Sequence, residues 1–144
     1  MPQTVNDVLA QAQYHTDNQD YVLLHLPPNA IMAAAGVVAE IGEPFCVLVV
    51  DKDEVTLMIP AEALPDFEHR LPGHTTSDIT YRLITLDVPL EPDLVGLLAR
   101  ISAALAAEQI SVLAFAAYAR DHFFVAAADQ DRAMAVLQSL SDSK

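Results

Sequence analysis

The chain has a single cysteine, Cys46, in 144 residues. One thiol cannot close an internal disulfide, so burial must hold the fold, and cytoplasmic residence is the expectation. Glycine is scarce, with four residues, and no Gly-rich phosphate loop can be built from them. Positive charge is also scarce: 7 Lys and Arg stand against 20 Asp and Glu, a formal net charge of −13. That argues against nucleic acid, which needs a basic face, and against anionic membrane surfaces. The acidic surface has a simpler use, in keeping an apolar chain soluble. Long apolar runs are missing too. The longest candidate, Ala30 to Ile41, carries Glu40 and is bounded by Pro28 and Gly42. It falls short of the roughly 18 residues that a membrane helix needs. The start, MPQTVNDVLAQAQ, has neither the basic residues nor the apolar stretch of a signal peptide.

Recognisable reaction chemistry is absent as well. None of His15, His25, His69, His74 and His122 has a Cys or His partner at zinc-site spacing. His25 and His122 fall in expected strands and read as structural or surface residues. No nucleophile elbow occurs. Cys46 lies inside FCVLVV and reads as a small buried hydrophobe. Asp51, Asp53 and Glu54 lack EF-hand spacing and read as a solvated turn. No catalytic residue, metal site or cofactor is expected.

What is abundant is apolar surface: 53% of residues are hydrophobic and the mean hydropathy is +0.29. A chain of this length can bury a real core. The excess points to a further interface, expected to be a homodimer. In the first 20 residues, Val5, Val8, Leu9 and Ala12 have helical spacing. Tyr21–Leu26 reads as a strand stopped by Pro27 and Pro28. Residues 29–41 read as a helix capped by Asn29, with Ile31, Met32, Ala35, Val38 and Ile41 on one face. Phe45–Val50 and Val55–Ile59 form a hairpin about a polar turn. Residues 61–70 read as weak helix or loop, and Leu71–Ile79 as the linker.

The second half is cleaner. Tyr81–Val88 is a strand. A helix then runs from Leu90-Glu91-Pro92-Asp93 to Gln109, with Leu94, Leu97, Leu98, Ile101 and Leu105 on one face and Asp93 as its cap. Ile110–Tyr118 and His122–Ala127 are strands, and Asp129 opens a last helix. The strand Ile110–Tyr118 is apolar on both faces, which suits a buried strand at a domain or subunit junction. The halves match each other: YVLLHLP at 21–27 with YRLITLD at 81–87, and CVLVV at 46–50 with SVLAF at 111–115. Order and spacing agree along both, which favours duplication. Nothing strand-like follows Leu140, so the second copy is one strand short. Its open edge is expected to be covered by the other half or by a partner chain.

The segment ITYRLITLDVPLEPDLVGLLARISAALAAEQISVLAFAAYARDHFFV resembles an ACT domain. The motifs that carry the resemblance are Leu86-Asp87-Val88-Pro89, Val95-Gly96-Leu97-Leu98-Ala99 and Gln109-Ile110-Ser111-Val112. Over roughly 20–140 the chain is similar to short bacterial tandem-ACT proteins related to the animal cytosolic arginine sensor. In that subgroup the second strand ends in Ser-Thr-Tyr or Ser-Thr-Phe, followed shortly by Asp; here the residues are Ala116-Ala117-Tyr118 and Asp121.

The resemblance implies an α+β fold with ferredoxin-like βαββαβ units, two in tandem packed as one compact body. The divisions are a lead-in helix (1–20), a degenerate N-terminal ACT-like half (21–70), a linker (71–80) and a C-terminal ACT domain (81–144). It also implies a regulatory module, not an enzyme, that binds a small molecule, above all an amino acid, through Asp93, Leu94, Val95, Gly96, Ala117, Tyr118 and Asp121. The physics of the residues allows this. Amides at a helix start lack partners inside the helix and can hold a carboxylate. Gly96 lets a ligand approach that backbone. Asp121, or carbonyls near Tyr118, can accept from an ammonium group. The plainer reading is that Gly96 permits close packing and Asp121 is an ordinary turn residue beside Arg120. A pair that only mediates protein–protein contacts and a small ferredoxin-like enzyme stay open as rivals.

Overall fold

The computed structural model describes residues 2–142. The chain forms two compact units. One is inserted, Gln19–Tyr81. The other is split, made of Met1–Asn18 together with Arg82–Lys144.

The inserted unit runs β2 (Asp20–Leu26), α2 (Ile31–Ile41), β3 (Val47–Val50), β4 (Val55–Pro60), the short α3 (Leu64–Phe67) and the first part of β5 (Thr75–Leu86). This is a βαββαβ order. β4 lies antiparallel between β3 and β2, with Leu24 opposite Leu57 and Leu48 opposite Leu57 on its other side. Alternate residues Leu24, Leu26, Val55, Leu57 and Ile59 turn to the helix side and bury with Ala30, Ala34 and Val37. Cys46 is half-buried against this cluster, and burial pushes its thiol up. That agrees with a packing role.

The helix face differs from the expected one. Met32 is 82% exposed and Ile31 is also exposed, whereas Ala34 and Val37 are fully buried. The true stripe, Ala30-Ala34-Val37-Ile41, is set by small residues that let the helix lie close to the sheet. Asn29 lies within a 3-10 turn ahead of α2 and makes no cap bond.

The split unit begins with α1 (Val5–Gln11) and β1 (Tyr14–His15), then takes up the end of β5, α4 (Leu97–Ala107), β6 (Leu113–Ala116), β7 (Asp121–Ala126) and α5 (Gln130–Asp142). β7 lies between β5 and β6. Its core gathers Val8, Leu9, Ile84, Leu86, Ile101, Leu105, Phe123, Val125, Ala133 and Leu137.

Three expectations are corrected here. The segment 71–80 is not a loose linker: β5 starts at Thr75 and passes unbroken from one unit into the other. Its β-branched residues Thr75, Thr76, Ile79 and Thr80 outweigh the turn signal of Pro72-Gly73. The expected lead-in, 1–20, is not a separate element. Val8 and Leu9 are buried in the split unit's core, and β1 pairs with β5, Tyr14 opposite Leu86 and His15 opposite Thr85. The missing strand of the second copy therefore comes from this chain's own N-terminal segment. Finally, Ile110–Tyr118 shortens to the four residues of β6, and Ala114 and Ala116 are exposed. β6 ends the strand order on its side; small methyl side chains tolerate water there.

Both units run strand–helix–strand–strand, but the match between them shifts by one place. Val47 lies opposite Met58, and Leu113 lies opposite Phe124. Met58 and Phe124 are each the fourth residue of their strands. Residues 47–50 thus correspond to 113–116, one place later than the letters alone align them.

Candidate functional site

The connection that leads into the helix distinguishes the two units. Four residues separate Leu26 from Ile31, but ten separate Leu86 from Leu97. In the longer loop, Pro89 and Pro92 hold the chain out of helical geometry, and the residue before each is steered to extended backbone. The helix therefore begins at Leu97, not near Asp93. Leu90 N donates to Ala119 O at 3.0 Å, which ties the loop to the β6–β7 turn. Ala117 N closes that turn by donating to Arg120 O at 2.9 Å.

Between loop, turn and helix start lies a cleft of about 370 Å³. Of the residues expected from sequence, Leu94, Gly96, Ala117, Tyr118 and Asp121 line it. Asp93 and Val95 belong to the same loop but do not; Val95 is 85% exposed. Sequence reasoning missed Leu90, Glu91 and Leu98, among others, because it placed residues 90–93 at the helix start. The Pro-x-x-Pro spacing was the available signal for an extended wall.

Gly96 caps α4 with φ +97° and ψ 0°, and no side chain caps the helix. The first amides of α4 thus keep their donors, and the dipole makes this wall positive. A Cβ at Gly96 would meet only Val5 Cγ2, at 3.8 Å. Glycine is required by the left-handed backbone and not by crowding. Gly96→Ala is therefore expected to cost about 1–2 kcal/mol, read as a lower urea midpoint at unchanged slope.

The opposite wall is negative. Asp121 opens β7, directly across from Ala116. It is half-buried, and burial pushes its carboxyl up, partly offset by attraction to His122. Its chain neighbour Arg120 turns elsewhere: Nε donates to Asp87 Oδ1 at 2.8 Å. Asp87 Oδ2 also lies 3.0 Å from His15 Nε2. Arg120 and His15 hold the Asp87 carboxyl below its usual range. His122 Nδ1 lies 2.9 Å from Thr85 Oγ1, and burial lowers its pKa. Apart from Glu91 on the loop, the remaining lining is largely apolar, from Leu90, Leu94, Leu97 and the alanines 116, 117 and 119. Tyr118, fully exposed, and Leu98, 49% exposed, stand at the mouth.

The family model of the ACT domain matches residues 76–139. The ACT-matching stretch holds the whole cleft. Solved structures are similar over nearly the whole chain. A Vibrio cholerae protein of unknown function, described as a "Possible Transport Protein", is 26% identical with a TM-score of 0.74, covering 96% of each chain. The ligand-free regulatory subunit of aspartate kinase from Thermus thermophilus is 9% identical with a TM-score of 0.68, covering 89% of this chain and 97% of that one. An Agrobacterium tumefaciens protein is 16% identical with a TM-score of 0.68, covering 90% and 89%. No protein of curated function matches in sequence. Among the described residues, no helix is long and apolar enough to cross a membrane. No group of three or more His, Cys, Asp or Glu among them could hold a metal ion.

Proposed function

We propose that the chain is a cytoplasmic regulatory module of the short bacterial tandem-ACT type, which binds an amino acid in the cleft of its split unit and catalyses nothing. The observation that carries this is the polarity of the cleft: a helix start without a side-chain cap forms one wall and the Asp121 carboxylate the other. A zwitterion matches both, carboxylate to amides and ammonium to Asp121. The volume suits a small metabolite, and Ala116 and Ala117 give its side chain an apolar surface instead of hydroxyls. The likeness to the regulatory subunit of aspartate kinase supports the same role.

A second reading has its own observation. Val95, Leu98 and Tyr118 expose apolar surface beside the cleft. That rim favours a homodimer, in which ligand and partner surface act together, or else a pair that serves protein contacts alone. A thermal-shift panel of the common amino acids decides between them. A ligand present at 100 times its dissociation constant adds about 2.7 kcal/mol. At least one amino acid is expected to raise the melting temperature by several degrees. No response to any of them would leave only the interaction module.

A further inference from the structure

The wall of the cleft at residues 89–91 is held from two sides, as a strand is. Leu90 faces the β6–β7 turn through its bond to Ala119. The residues on either side of it face the N-terminal segment instead. Gln3 Nε2 donates to Pro89 O at 2.8 Å, and Glu91 N donates to Gln3 Oε1 at 2.9 Å. A side-chain amide is the chemical twin of a peptide group, so Gln3 occupies the place a neighbouring strand would take. Its own backbone N donates to a Glu91 carboxylate oxygen at 3.4 Å.

Gln3 is itself held in position. Thr4 and Asp7 form a capping box at the start of α1: Asp7 N donates to Thr4 Oγ1 at 3.1 Å, and Thr4 N to Asp7 Oδ2 at 3.3 Å. Val8 and Leu9 then anchor α1 in the core. At the other end of the loop, Arg100 Nη1 donates to Asn6 Oδ1 at 3.3 Å. The segment 3–6 therefore touches the cleft loop near Pro89 and the first turns of α4. It lies some 90 residues away in sequence, and it lines no part of the cleft itself.

We infer that Gln3 is a positioning residue of the cleft: its amide braces the 89–91 wall, so that ordering of the N-terminal segment and occupancy of the cleft reinforce each other. The inference rests on the reading that the cleft binds a small molecule. It adds that a residue outside the cleft, in a part of the chain the ACT match does not reach, sets the cleft's affinity.

Gln3→Ala removes both amide bonds. Gln3→Glu keeps the size and the acceptor for Glu91 N, but loses the donor to Pro89 O and adds a second carboxylate beside Glu91. The amino acid that responds best in the panel is titrated against both variants, and backbone amide exchange is followed without ligand. The expected result is a dissociation constant about tenfold higher in Gln3→Ala, with the free melting temperature within about 3 °C of wild type. Gln3→Glu should be no better than Gln3→Ala; a role in packing alone would be rescued by it. Unchanged affinity in Gln3→Ala, or full rescue by Gln3→Glu, overturns the inference. If no amino acid binds the wild-type chain, the proposed function fails and the brace is judged on exchange. Faster exchange over residues 89–96 in both variants, with Ile101 and Val125 unchanged, sustains it. Exchange unaltered over 89–96 overturns it.

Discussion

Asp121→Asn is expected to remove about half or more of the stabilisation by an amino acid while raising the melting temperature of the free protein at neutral pH. The two effects have one cause. Asp121 is half-buried, and burial pushes its carboxyl above the ordinary value. Between the ordinary and the raised value, the folded chain holds a proton that the unfolded chain has released. Stability therefore falls as pH climbs through that window, and the loss persists above it. Asparagine carries no charge and removes the loss. The attraction between Asp121 and His122 is also lost, but burial lowers the His122 pKa, so that attraction is weak at neutral pH. Below the ordinary carboxylate range both forms are neutral, and the difference in melting temperature should vanish. Binding moves the other way, because a charged hydrogen bond to an ammonium is worth about 1.5–3 kcal/mol, roughly 10- to 100-fold in affinity. Melting curves from pH 3 to 8, with and without the ligand, read both effects. A melting temperature that drops together with the response would make Asp121 a structural residue and sink its role in the cleft.

Phe123→Ala is expected to be the most damaging single substitution near the cleft. Phe123 is completely buried among Ile101, Leu105, Val125 and Leu137. Truncating a buried phenylalanine costs about 3–5 kcal/mol. That is a large part of the 5–15 kcal/mol typical of a domain, and corresponds to a fall on the order of 10 °C in melting temperature. Phe123→Leu should cost much less, since most of the volume stays. Residues 121, 123 and 125 share one face of β7, so the cavity lies beneath Asp121, and ligand affinity should fall with stability. Its neighbour Phe124 points the other way and meets the Phe115 ring edge-on, with centroids 5.9 Å apart. Equal urea midpoints for Phe123→Ala and wild type would contradict this packing.

The legible part of the site was the part encoded in backbone chemistry. Gly96 followed by an apolar helical stripe marked a helix start, and the turn before Asp121 marked the facing strand. The loop between them departs from what its local sequence favours. Asp93 is a good capping residue in isolation, and Leu94 continues the helical spacing. Local propensity thus favoured a helix from residue 93. Pro92 and the bond from Leu90 to Ala119 override it, which moved Asp93 and Val95 off the lining and brought Leu90 and Glu91 onto it. The stripe of α2 slipped for a similar reason. Spacing cannot tell Ala34 from Ala35, and only close approach to the sheet selects the smaller face.

Periodicity, turn chemistry and the internal match determined by themselves the α+β class, the strand–helix–strand–strand order of both copies and most of the core. These are short-range properties, in which each residue answers to neighbours a few places away. The tertiary structure alone decided what crosses the chain. It carried β5 through the expected linker, gave the second copy its missing strand from Tyr14 and His15, and set Gln3 against Pro89 and Glu91. Such pairings join residues some 70 to 90 places apart, and nothing in either segment names the other. They form because open strand edges and loop amides need partners once the core has closed, and the N-terminal segment is the piece of chain within reach.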